Sequence, residues 1–218
     1  NVYVGLQHLS VSHDRGTNWT RVGPDPVDNN NYIITIGVSP TDSNTVYFGT
    51  APSPSYPMHV FRSYNGGNSI TDISAGLPDR YPRDIAVSKR SINEVYVAFS
   101  GFGSGHLFKS VNGGAAWTDI SINLPDIPFH CITIDPSRPD TLFAGSDLGV
   151  FISPDAGNSW FAFNDGMPDG ALVFDIAYSP KDQSIVAFTH GNGVYKAKLT
   201  ALAVGTADKE VTSRQLNI

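Results

Sequence analysis

The chain has 218 residues, 40% apolar and 16% charged, with a net charge of −6 and one cysteine. That length supports a sizeable core, while the acidic balance and the absence of any lysine/arginine run argue against a nucleic-acid partner. One cysteine excludes an internal disulfide, and no stretch reaches the roughly 20 apolar residues that span a membrane.

Read from its start, the chain repeats itself. A β-forming run, NVYVGL (1–6), returns as TVYFGT (45–50), EVYVAF (94–99), TLFAGS (141–146) and SIVAFT (184–189). A second run follows each: HLSVS (8–12), HVFRS (59–63), HLFKS (106–110), GVFIS (149–153) and GVYKA (193–197). Four of these lead into an octapeptide: SHDRGTNW, SYNGGNSI, SVNGGAAW and SPDAGNSW, whose opening serines lie 51, 47 and 43 residues apart. A short strand starts at the last residue of each octapeptide, as in WTDIS (117–121). Three repeats close on AGLPD, INLPD and DGMPD, which puts Pro78, Pro125 and Pro168 eight residues past the octapeptide. A further alternating run then precedes the next repeat: IITIGVSP (33–40), RDIAVSK (83–89), HCITIDP (130–136) and FDIAYSP (174–180).

One unit is therefore four strands in about 47 residues, and the repeat predicts an all-β fold, a β-propeller of four-stranded antiparallel blades, about four to five of them. Residues 1–199 form the blades, with a partial first blade and a last blade lacking its outer strand. Residues 200–218 are a polar tail or linker. We expect a C-terminal part of a larger propeller, with further blades from the parent chain or a partner chain, because a bare blade edge is a template for unwanted pairing.

The octapeptide has the chemistry of a tight corner. Gly16, Gly67, Gly114 and Gly157 hold its fifth position, which suits φ > 0. Asp14, Asn65, Asn112 and Asp155 hold the third, where an Asx side chain bonds nearby backbone N–H groups; Ser12, Ser63, Ser110 and Ser153 can do the same. Trp19, Trp117 and Trp160 end it as wedges against a neighbouring sheet, and Ile70 replaces Trp in the second copy. The pattern Ser-x-Asp-x-Gly-x-x-Trp resembles the Asp-box, or bacterial neuraminidase repeat, of sialidases, sortilin-type receptors, xyloglucanases and photosystem assembly propellers. The resemblance covers residues 1 to about 199. It implies that these residues are structural, since in those families the box lies on the blade periphery away from the ligand face. The tail also resembles the link preceding the sorting domain of surface proteins exported by Bacteroidetes-type bacteria, which implies a secreted or cell-surface bacterial protein.

In such a fold, ligands meet the face carrying the loops before the first and after the second strand of each blade. There Tyr56, Tyr81, Phe102 and Phe129 are candidate stacking faces for sugar or peptide, and Asp126, Asp147 and His190 candidate polar readers. Sialidase chemistry resembles an arginine cluster with a Tyr–Glu pair, yet the chain has two glutamates, Glu94 on a strand and Glu210 in the tail. The stretch GSDLGVF loosely resembles the surroundings of a xyloglucanase catalytic carboxylate, which makes Asp147 the catalytic candidate, but no second carboxylate can be placed. His8, His59 and His106 recur at one register and read as a structural slot rather than a metal site. Cys131 reads as a buried, inert thiol. No phosphate loop, nucleophile elbow or cysteine pair implies a cofactor. The expected function is a binding or scaffold module for glycan or protein; the alternative is a glycoside hydrolase fragment, xyloglucanase-like rather than sialidase-like.

Overall fold

The computed structural model describes residues 1–199; the expected tail lies outside the described residues. Five antiparallel sheets follow one another in chain order. The first holds β1 (Val2–Gly5), β2 (Leu9–Ser12) and β3 (Thr20–Val22). The second holds β4 (Ile33–Val38), β5 (Val46–Thr50), β6 (Val60–Ser63) and β7 (Thr71–Asp72). The third holds β8 (Tyr81–Val87), β9 (Val95–Ser100), β10 (Leu107–Ser110) and β11 (Thr118–Asp119). The fourth holds β12 (Phe129–Ile134), β13 (Leu142–Ser146), β14 (Gly149–Ser153) and β15 (Phe161–Ala162). The fifth holds β16 (Val173–Ser179), β17 (Ser184–Thr189) and β18 (Val194–Lys198).

Strands pair only with their sequence neighbours, so every sheet is a meander. This is the all-β, blade-by-blade architecture that the repeat predicts. The outer strands β7, β11 and β15 are two residues long, start one residue after the octapeptide and are exposed. Short edges of this kind offer little to a foreign strand.

The sheets stand side by side because their innermost strands, β4, β8, β12 and β16, pack against one another in succession. Ile36, Ile85, Ile132 and Ile176 occupy the same register on these strands. Close approach needs small residues: a Cβ on Gly37 would lie 2.5 Å from the Ile85 carbonyl oxygen. The second strands follow the same rule. A Cβ on Gly49 would meet Pro82 at 2.7 Å, and one on Gly145 would meet Val173 at 2.8 Å.

The core is divided into four slabs, each lying between two consecutive sheets. Leu9, Val11 and Val22 of the first sheet pack with Ile33, Val46 and Phe48 of the second. Tyr47 and Ile73 pack with Val95, Val97 and Phe99; Tyr96, Leu107 and Ile120 with Phe129, Ile132 and Trp160; Phe143, Val150 and Ile152 with Val173, Ile176 and Ile185. A sheet covered on both sides explains why β5, β9 and β13 are nearly continuous apolar runs, buried almost throughout.

Candidate functional site

Each blade has two ends of different chemistry. At one end the octapeptides turn the chain. In all four, the serine Oγ accepts the glycine N–H at 2.8 Å and donates to the third-position side chain at 2.8–2.9 Å. That side chain accepts the N–H of the seventh residue, also at 2.8–2.9 Å. The glycines have φ between 87° and 94°. The preceding residue is left-handed too, at Arg15 (61°), Gly66 (72°), Gly113 (70°) and Ala156 (59°), which the sequence pattern does not announce. Hydrogen bonds from Asn18 and Ser12 lower the Asp14 pKa to about 2. At Asp155 burial acts to raise the pKa, but bonds from Ser159 and Ser153 outweigh it and hold the group below its ordinary value.

These corners grip the sheet before them. Trp117 Nε1 donates to the Ile73 carbonyl and Trp160 Nε1 to the Ile120 carbonyl, both at 2.7 Å. The corner glycines press on the same residues: a Cβ on Gly114 would lie 2.5 Å from Ile73, and one on Gly157 would lie 2.6 Å from Ile120. Gly67 sits on Val22 in the same way, 2.5 Å from the position of a Cβ. The corners are therefore spread one to each of the first four sheets.

The opposite end carries the loops, and it is built on bulges. The pairing of β4, β8, β12 and β16 with the next strand slips once in each, at Ile34, Arg83, His130 and Phe174. A bulge leaves one residue unpaired and re-aims its side chain, and bulges recur beside functional sites. The residues just before them, Ile33, Pro82, Phe129 and Val173, are buried, whereas Ile34, Arg83 and Phe174 are exposed and His130 half-buried. His130 Nε2 lies 2.7 Å from the Asp147 carboxylate. The His130 ring is 4.6 Å from Phe174, and Phe174 packs edge-on against His190 at 5.6 Å. A row of ring contacts thus crosses from the fourth blade to the fifth.

Below the bulges, Asp84 accepts the Ile85 N–H at 2.8 Å and the Ile132 N–H at 2.9 Å, so it stitches the third sheet to the fourth. Burial, with a smaller contribution from Asp175, pushes the Asp84 pKa up to about 6. Burial also drives the Cys131 thiol pKa well above its ordinary value, in keeping with an inert thiol. Asp84, Thr133 and Asp175 line a cavity of about 420 Å³ against the inner strands.

The loop-end carboxylates hold loops. Asp28 lies 3.0 Å from His59 Nδ1 and accepts from Thr50 and Asn31. Asp126 lies 3.1 Å from His106 Nε2 and accepts the Gly103 N–H at 2.8 Å. Asp25 lies 3.8 Å from His8. The recurring histidines thus share one slot, each facing an aspartate. Among the described residues, no group of three His, Cys, Asp or Glu side chains is placed to hold a metal ion.

Tyr56, Tyr81 and Phe102 are 42%, 50% and 60% exposed, and His190 is exposed as well. The Arg80 guanidinium donates to the Phe102 carbonyl at 3.3 Å, which ties those two loops together. Phe129 is a correction: it opens β12, is fully buried and stacks against His106 at 5.5 Å, so it offers no face to a ligand. Sequence reasoning did not single out His130 and Phe174. Their signal is the column that reads Ile, Arg, His, Phe while its neighbours stay apolar or structural.

With this geometry in hand, the comparisons fix the fold. The chain superposes on the GH74 xyloglucanase of Xanthomonas campestris with a TM-score of 0.67 at 17% identity, covering 87% of this chain and 33% of that one. A chain of the nidogen/laminin complex matches with a TM-score of 0.66 at 14% identity, over 90% and 72% of the two chains. The YCF48 protein bound to a D1 peptide matches at 0.55 and 14% identity, over 78% and 53%. The chain therefore has the fold of a partial β-propeller and spans about a third of the length of the xyloglucanase. No family model matches it, and no curated protein does.

Proposed function

We propose that this chain is a binding module, a propeller segment whose loop end holds a glycan or a protein segment. The observation that carries the reading is the His130–Phe174–His190 row of ring contacts together with the exposed rings of Tyr81 and Phe102. Aromatic faces of this kind take up flat apolar surfaces, such as a sugar ring or a proline or aromatic side chain, and the polar edge of tyrosine adds orientation. The solved structures of similar fold include a glycan hydrolase and proteins in complex with a peptide or a protein. We further infer that the four octapeptides are Asp-boxes that hold the blades together, and that the protein works outside the cell or on its surface.

Binding is favoured over hydrolysis by the company Asp147 keeps. Its nearest polar partner is an imidazole 2.7 Å away, whereas glycoside hydrolysis uses two carboxylates flanking the bond. The test is titration of the protein with xyloglucan oligosaccharides and with proline-rich peptides, alongside Phe174→Ala and Tyr81→Ala. Affinity for one ligand class falls at least about tenfold in both variants, or about 1.4 kcal/mol. Affinity untouched by both substitutions removes the loop end as the site, and release of reducing sugar that Asp147→Asn abolishes establishes the hydrolase instead.

A further inference from the structure

The chain contains three Asn-Gly pairs, Asn65-Gly66, Asn112-Gly113 and Asn192-Gly193. Such a pair carries its own electrophile and nucleophile. The glycine nitrogen can attack the asparagine Cγ, because glycine has no Cβ to obstruct the ring closure. The reaction needs that nitrogen free and the two atoms able to meet.

The corners withhold both conditions. Asn65 and Asn112 hold the third position of their octapeptides, where each Oδ1 accepts a backbone N–H four residues ahead, from Ser69 and Ala116, at 2.9 Å. Each Oδ1 also accepts the opening serine Oγ, at 2.9 and 2.8 Å. The carboxamides are thereby fixed onto the turn. The attacking nitrogens are fixed as well: Gly66 N–H donates to the Asn44 carbonyl at 2.8 Å and Gly113 N–H to the Asn93 carbonyl at 2.9 Å. Both glycines are buried.

Asn192 meets neither restraint. It lies in the loop that joins β17 to β18, and Asn192 and Gly193 are both exposed. That loop is closed by Thr189, whose N–H and Oγ1 donate to the Gly193 carbonyl at 3.1 and 2.7 Å. Among the described residues nothing hydrogen-bonds the Asn192 carboxamide or the Gly193 N–H. A Cβ on Gly193 would meet no atom within 4 Å, so the space around the nitrogen is open.

We propose that Asn192 is a modification site, at which the folded chain converts its own asparagine to aspartate and isoaspartate. The Gly193 nitrogen gives up its proton and bonds to the Asn192 Cγ. The carboxamide nitrogen leaves with that proton as ammonia, and a five-membered succinimide remains. Water then opens the ring. Breaking the bond from nitrogen to Cγ yields aspartate; breaking the bond from nitrogen to the main-chain carbonyl carbon yields isoaspartate, whose backbone runs through Cγ. Nothing is oxidised or reduced. Either product places a carboxylate two residues from His190, at the end of the row of rings that starts at His130. The corner pairs stay asparagine, because their glycine nitrogens come free only when the corner opens.

The test holds the folded chain in mildly alkaline buffer, digests it with trypsin and follows each Asn-Gly peptide by mass spectrometry, with electron-transfer fragmentation to separate isoaspartate from aspartate. Conversion at Asn192 runs at least about tenfold faster than at Asn65 or Asn112. In concentrated urea the three pairs react at similar rates, since no corner then holds a nitrogen. Asn192→Gln stops the conversion in its peptide, because glutamine must close a larger ring. A folded chain in which Asn192 converts no faster than the corner asparagines overturns the proposal. So does an unfolded chain that keeps the native order of rates, because the fold is then not its cause.

Discussion

The corners at Trp160 and Trp19 share the Ser, Asp, Gly and Trp positions, the hydrogen bonds that close the turn and a glycine φ of 94° and 93°, yet one tryptophan is 2% exposed and the other 43%. The comparison separates what an octapeptide does for itself from what it does for its neighbours. The serine, the Asx residue and the glycine close the turn in either setting. The tryptophan and the space above the glycine matter only where a preceding sheet lies against them. Local pattern sets the turn, and tertiary packing sets its worth.

The sharpest way to break the comparison is to truncate the two rings. Trp160→Ala removes a buried ring and its hydrogen bond to Ile120 and costs about 3–5 kcal/mol, whereas Trp19→Ala costs less than about 1 kcal/mol. Urea unfolding midpoints read both, and equal shifts would dissolve the distinction. The glycines give a finer contrast. Gly16→Ala and Gly157→Ala carry the same backbone strain, about 1 kcal/mol or more. Only Gly157→Ala also drives a methyl group against Ile120, adding about 1–3 kcal/mol.

Acid titration sharpens the same comparison between aspartate and asparagine corners. Asp14 and Asp155 have lowered pKa values in the folded chain. Their stabilisation is therefore present above the ordinary value of 3.8 and is lost as the pH falls through the lowered values, about 2 for Asp14. Corners built on Asn65 and Asn112 have no such dependence. The double variant Asp14→Asn, Asp155→Asn flattens the loss of stability between pH 4 and pH 2. Asp84 runs the other way. Its folded pKa of about 6 lies above 3.8, so its contribution is full below about pH 4 and fades as the pH rises through 6. Asp84→Asn removes that fading, read as a smaller change in unfolding midpoint between pH 5 and pH 7.

The strand order was legible because each blade repeats the same four apolar runs at the same spacing, and a repeat averages away local ambiguity. The corner bonds were legible because serine, Asx and glycine act within eight residues. The exposure of Trp19 was not, since it depends on a surface that lies outside the octapeptide. The left-handed Arg15 and Ala156 were hidden because both side chains usually avoid that region. At the loop end, single aromatics such as Tyr81 and Phe102 could be named from loop composition. The bulges at His130 and Phe174 could not, because a one-residue slip changes which side chain faces out, and it also placed Phe129 in the core.

The corners of the second, third and fourth blades clamp each blade to the one before it. The most direct measurement is the hydrogen-exchange rate of the three indole N–H groups in the unaltered chain. Trp117 and Trp160, bonded to Ile73 and Ile120, exchange at least about tenfold more slowly than Trp19. A Trp160 that exchanges as fast as Trp19 would contradict the account.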